Sequence, residues 1–292
     1  MMQQIILHYA VTPSRKEIVM NAAECIALVD TSRDELRDRI SLTHRRFDRL
    51  IRTADPLARP PGHDWTVQQI AAHVLTLAHR YHQIARGRDY RHAGSASAVA
   101  ALNQSELEAV LAPVSELADQ LQALLPEIDA FFDANSDDRL AIPFHGCGFM
   151  STNTAQTNLL GEFLLHGQDV AQAVKLPWDL PERDMALILR GAREMVPIYL
   201  RPGVGANVDI CVAFQVPAAR PYLIHIHDGT PEMRERRPED RPDAVLRAPA
   251  STMTQLLYQR IGQFAAVRRG LWLTGGRRPW VALKLMTYFE RA

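Results

Sequence analysis

The chain has 292 residues, 47% of them hydrophobic and 23% charged, enough for one large globular domain or two ordinary ones. Its 33 basic residues balance 33 acidic ones, which argues against a nucleic-acid binder held by bulk charge. No apolar run approaches the length of a bilayer span, so no membrane-crossing segment is expected.

Residues 1–30 are set apart as an N-terminal extension of unknown role. Met1–Ala10 lacks the positive leader, long apolar core and cleavage site of a signal peptide. Arg33–Arg52 reads as a helix capped by Thr31 or Ser32. Pro56, Pro60 and Pro61 then enforce a loop. Asp64 is the expected N-cap of a second helix from Trp65 to about Arg86, stopped by Gly87. A third helical pattern runs from about Ala98 to Ala134, with Pro113 and Pro126 as kinks or breaks, and Asp137–Met150 reads as loop. A fourth helix spans about Thr152 to Val174, which completes a four-helix bundle over residues 31–178.

The texture then changes. Pro181–Tyr199 reads as one more helix, and Val208–Val216 and Tyr222–His227 as strands. Pro231–Pro242, dense in charge and proline, is expected to be a solvated loop. Asp243–Arg247 and Leu271–Thr274 follow as strands, Ser251–Arg260 as a helix, and Val281–Arg291 as a closing helix. Residues 179–292 therefore read as a linking helix and a smaller α+β unit, and the chain as α+β overall.

Three cysteines, Cys25, Cys147 and Cys211, are far apart and odd in number. They form no disulfide framework and no CxxC metal pair, so a reducing cytoplasm is the expected setting. Cys25 and Cys211 read as small buried hydrophobes. His145 and Cys147 could form a nucleophilic pair, but no orienting acid stands nearby.

The second helix carries an apolar stripe at helical spacing, with His73 on its flank and Arg80 two turns on. Most arginines in so arginine-rich a chain are surface residues, and Arg80 reads as one, or else as a cation for a substrate carboxylate. The fourth helix is apolar almost all round, yet it contains Glu162, His166 and Asp169, at spacings of four and three that place them on one face. A buried carboxylate needs a partner or a metal. Glu162 and His166 offer an oxygen and a nitrogen acceptable to zinc, and His73 is the best third ligand. The same spacing serves equally for an internal Glu–His ion pair with His73 as core filler. Asp169 is either an orienting group behind His166 or a structural salt-bridge residue. His225 and His227 alternate on one strand face and, with Asp228, allow a second metal site or a plain exposed face.

Asp64-Trp65-Thr66-Val67, followed by Ala72-His73, resembles the second helix of DinB-like bundles. Gly161-Glu162-Phe163-Leu164-Leu165-His166-Gly167-Gln168-Asp169, followed by Pro177-Trp178, resembles the fourth helix of the mycothiol-dependent maleylpyruvate isomerase family. Asp243–Pro249 and Arg269–Gly275 are similar to a sterol-carrier-protein-2-like (SCP2-like) domain. The resemblance implies a DinB-like metal-binding bundle fused to that C-terminal domain, with His73, Glu162 and His166 as metal ligands. It also implies a divalent metal, zinc before nickel or iron, and mycothiol as thiol cosubstrate. The partners would be a small thiol and a small electrophile such as maleylpyruvate, in an isomerase or S-transferase reaction. The alternatives are a lipid or small-molecule carrier and a regulatory module with a residual metal site.

Overall fold

The computed structural model describes residues 28–90, 92–135, 142–204, 207–217 and 219–290. Residues 1–27, and with them Cys25, lie outside the described residues. Helix α1 (Arg33–Thr53) starts where Ser32 Oγ accepts from the Glu35 amide, with acidic Asp34 and Glu35 in its first turn. Helix α2 (Val67–Ala85) begins two residues later than the Asp64 cap predicts. Thr66 and Gln69 form a reciprocal capping box, which satisfies two orphan amides at once and outcompetes Asp64.

The helical pattern over Ala98–Ala134, with a kink or break expected at Pro113 or Pro126, is two helices, α3 (Val99–Val110) and α4 (Val114–Ala134). Pro113 forces the residue before it out of helical geometry, so the chain breaks there. Pro126, by contrast, lies inside α4 without ending it. The expected loop before the next helix contains a hairpin of β1 (Ile142–Phe144) and β2 (Gly148–Met150). Gly146 turns it with φ 67°. Helix α5 (Thr152–Ala173) is capped by Ser151 Oγ.

Helix α6 (Glu182–Tyr199) packs on α5, and Gly191 lets it approach so closely that a Cβ there would collide with Thr157. The sheet that follows comprises β3 (Ile210–Gln215), β4 (Tyr222–His227), β5 (Thr230–Glu235), β6 (Ala244–Arg247) and β7 (Trp272–Gly275). Its order is β5-β4-β3-β6-β7, antiparallel except for the β3/β6 pair. Between β6 and β7 run α7 (Ala250–Leu257) and α8 (Gln263–Arg268).

Two expectations fail here. Thr230–Glu235, overlapping the start of the expected loop, is edge strand β5, with Pro231 near its start and Met233 buried. The closing helix is instead a pair of 3₁₀ turns, Pro279–Leu283 and Leu285–Tyr288. The chain must then extend so that Phe289 bridges Leu200 and the Glu290 amide reaches Tyr199 O, and a continued α-helix forbids that.

One apolar core runs from Leu28 through the bundle and α6 to the inner sheet face and Phe289. Leu28 is fully buried and its carbonyl accepts from the Arg220 amide, so the end of the expected extension is tied to the sheet region. Among the described residues no helix is long and apolar enough to cross a membrane.

Candidate metal centre

The bundle brings His73 of α2 to Glu162 and His166 of α5. Glu162 Oε2 lies 3.4 Å from His73 Nε2 and 3.3 Å from His166 Nε2. The two imidazole rings stand 5.0 Å apart between centroids, nearly perpendicular at 81°. One donor atom from each of the three residues falls within 4.8 Å of the others. Glu162 Oε2 is buried without a hydrogen bond, and so is His73 Nδ1. A carboxylate oxygen left bare between two imidazole nitrogens is a donor set aimed at a common centre, and two nitrogens with one oxygen suit a divalent ion of the zinc type. The residues present fit that group.

Each of the three side chains is held from behind. Asn158, one turn before Glu162, directs its amide at Oε1 from 3.5 Å and accepts from Tyr81 Oη at 2.8 Å. That leaves Oε2 turned to the histidines. His166 Nδ1 is 3.0 Å from Asp169 Oδ2. Asp169 is in turn gripped by Arg260, whose guanidinium also donates to Leu165 O at 3.1 Å. His73 packs against the Trp65 ring, 4.8 Å between centroids, and the Trp65 indole donates to Gln104 at 2.7 Å. Gly167 sits where any side chain would collide with Trp178, which docks on α5 by donating to Leu164 O at 2.9 Å.

The charges follow this geometry. Burial raises the Glu162 carboxyl, but the two imidazoles pull harder and hold it below the ordinary carboxylate range. Burial lowers His166, and Asp169 with Glu162 overcome it, holding that imidazole up to about 9. Burial, with the His166 and Arg80 charges, lowers His73 against the pull of Glu162.

Sequence reading missed Arg260, Asn158 and His63. Arg260 is 91 residues from Asp169, so no local spacing announces it. Asn158 had a signal, its place four residues before Glu162. His63 belongs to a second grouping with His166 and Asp169, again within 4.8 Å, and accepts from the Trp65 amide at 3.1 Å.

Arg80 is not a surface arginine. It is 6% exposed, with Nε on Tyr90 Oη at 3.1 Å, Nη1 3.0 Å from His145 Nε2, and Nη2 on Asn103 and on Glu106 at 2.6 Å. His145 is held by Arg80 and the Ala93 amide, and burial with the Arg80 charge lowers its pKa to about 3. The expected pairing of His145 with Cys147 rests on a side chain outside the described residues.

The C-terminal part meets α5 beside the centre through Arg260. Tyr199 and Tyr258 line an apolar cavity of about 50 Å³ with Met195, Leu257, Met286 and Phe289. Burial and then the Glu162 charge push Tyr199 up to about 12. A larger groove of about 620 Å³ lies between α1 and α4, and His73, Glu162 and His166 do not line it.

Fold and site thus define a helical bundle with a buried two-histidine, one-carboxylate cluster, capped by an α+β unit. The family model of the mycothiol maleylpyruvate isomerase N-terminal domain matches residues 22–171, and the chain belongs to that family. The whole fold is similar to the crystal structure of the mycothiol-dependent maleylpyruvate isomerase, with a TM-score of 0.53 at 16% identity, covering 90% of this chain and 98% of that one. A histidine-to-alanine mutant of that enzyme gives a TM-score of 0.51 at 15% identity, with the same coverage of 90% and 98%. No curated protein matches the chain significantly.

Proposed function

We propose that the protein is a metal-dependent enzyme that activates a low-molecular-weight thiol, mycothiol, for attack on a small electrophile such as maleylpyruvate, as an isomerase or S-transferase. The observation that carries this reading is the convergence of His73, Glu162 and His166 on one centre, in a chain of this family. His73, Glu162 and His166 would hold zinc, and nickel or iron would accept the same donor set. A bound ion of this kind lowers the pKa of a thiol beside it and holds it as thiolate near neutral pH.

The chain's own residues prepare the site. Glu162 supplies the negative charge that offsets the cation, and Asn158 keeps its free oxygen turned inward. Asp169 accepts from His166 Nδ1, which leaves Nε2 facing the centre, and Arg260 fixes Asp169. Trp65, packed on His73, keeps water from that side of the centre. In the isomerisation the thiolate sulfur bonds to one carbon of an activated cis double bond, and the electron pair moves onto the conjugated carbonyl. The former double bond rotates as a single bond. The C–S bond then breaks, the trans double bond forms, and the thiol leaves unchanged. In a transferase reaction the sulfur displaces a leaving group and stays attached.

Arg80 ties α2 to α3 and to the β1–β2 hairpin in this reading. It reaches a substrate carboxylate only by exchanging Glu106 for it. The carrier alternative needs a deep apolar tunnel in the C-terminal part. The cavity of about 50 Å³ there falls well short of the roughly 300–1,000 Å³ of small-molecule pockets.

Purified protein should hold one equivalent of divalent metal at the bundle and catalyse thiol-dependent isomerisation of maleylpyruvate or conjugation of a test electrophile. His73→Ala, Glu162→Ala and His166→Ala should each lose that metal and the activity, with helicity retained. Activity indifferent to chelator, or metal retained at the bundle in these variants, would overturn the reading.

A further inference from the structure

A second cluster lies on the face of the sheet turned away from α6. β4 alternates Tyr222, Ile224 and Ile226 inward with Leu223, His225 and His227 outward. Ile210 pairs with Ile226 across β3/β4, so Asp209, one residue earlier, lies on the outward face beside both histidines. His225 Nε2 is 3.1 Å from Asp209 Oδ1, and His227 Nδ1 is 3.5 Å from the same oxygen. The rings lie 5.5 Å apart between centroids at 32°, and one donor atom from each residue falls within 4.8 Å of the others.

The other nitrogen of His227 adds an independent observation. His227 Nε2 is 3.2 Å from Asp228 Oδ2. Asp228 and Gly229 are the two turn residues of the β4–β5 hairpin, with φ 47° and 74°, a turn that favours Asp-Gly and sets the carboxylate behind the ring. A carboxylate on one imidazole nitrogen holds the ring and its tautomer so that the opposite nitrogen is free to bind. His227 is thus oriented toward Asp209 and His225 from the far side.

We propose that Asp209, His225 and His227 form a second metal site, oriented by Asp228, for a divalent ion of the zinc, nickel or copper class. Two imidazole nitrogens and one carboxylate oxygen select such ions over magnesium and calcium, which take oxygen ligands. His227 and Asp209 are exposed and His225 partly so, so the remaining coordination positions are open to water, and the ion clips the start of β3 to the β4–β5 hairpin. The site shares no ligand with the bundle centre and does not depend on it.

The test is zinc titration of tag-free, full-length protein by calorimetry, with cobalt absorption as a second signal. In the His73→Ala/His166→Ala protein one equivalent of zinc should bind, and a large excess of magnesium should not displace it. Adding His225→Ala/His227→Ala should weaken that binding at least 100-fold, and Asp228→Asn about 10- to 100-fold. As a check independent of the bundle variants, His225→Ala/His227→Ala alone should lower the zinc stoichiometry of the otherwise unaltered protein by one, whatever the bundle holds. Unchanged stoichiometry and affinity in that variant, or displacement by magnesium, would overturn the proposal.

Discussion

His166 makes two contacts that divide the work of one ring. Nε2 faces Glu162 and Nδ1 meets Asp169, which Arg260 holds in turn. If Asp169 orients the ring, Asp169→Asn should weaken metal binding about 10- to 100-fold while leaving the helix content intact. Arg260→Gln should act in the same direction and less strongly, because Asp169 stays in place. Competition with a chromogenic chelator measures both, and an Asp169→Asn protein that binds metal like the parent would refute the orienting role. Gly167 acts by its lack of a side chain. Gly167→Ala would drive a methyl into the Trp178 ring, over which Arg46 lies at 4.4 Å. The expected cost is about 1–3 kcal/mol, read as a lower urea midpoint. Of this site, the Glu162–His166 pair was legible because both residues ride one helix. The need for glycine at 167 was not, since Trp178 returns from eleven residues further on.

Elements that carry their own boundary signals were read within two residues. Ser32 caps α1, Ser151 caps α5, and acidic residues open α6. The failures share a cause. Edge strand β5 and the 3₁₀ turns near the C-terminus take their form from what they dock against, and no local pattern encodes that. Asp243 shows how such docking is secured. It is 1% exposed, accepts from Arg277 at 2.9 Å, from Arg278 at 2.7 Å and from the Cys211 amide at 3.1 Å, and so pins β6 to β3 and to the first 3₁₀ turn. Burial raises its carboxyl, but Arg278, the Cys211 amide and Arg277 together hold it below the ordinary carboxylate value of 3.8. A depressed folded-state pKa gives stability that is complete above 3.8 and is lost as pH falls below it toward the folded value. Asp243→Asn should therefore cost about 1.5–3 kcal/mol at pH 7. Relative to the parent, that deficit should shrink as the pH drops below 3.8, in urea unfolding at matched pH values. A deficit independent of pH would show that lost packing, not charge, is responsible.

The bundle and the sheet share α6 and one continuous apolar core. Polar ties cross between them. Glu182, at the start of α6, accepts from the Ala250 amide and Ser251 Oγ at the start of α7, and Thr254 Oγ1 donates to Met185 O at 2.9 Å. Arg260 then reaches from beyond α7 to Asp169 on α5. With one apolar core common to both parts, the chain should unfold in a single calorimetric transition. Removing metal with a chelator should lower that transition, because an ion bound only to the folded state stabilises it by mass action. Two separated transitions would show the parts to be independent and the Arg260–Asp169 contact too weak to couple them.

The sequence by itself determined the helices of the bundle, the change to a sheet-containing C-terminal part, and the burial of an acid and a base on one helical face. Those properties follow from periodicity, capping residues and the spacing of four within a single helix, which are local. Only the tertiary structure decided that His73 meets Glu162 and His166, that Arg80 is occupied by Glu106, and that Arg260 stands behind the site. Each of these joins separate elements, and the distance between two helices or loops is set by how the whole core packs.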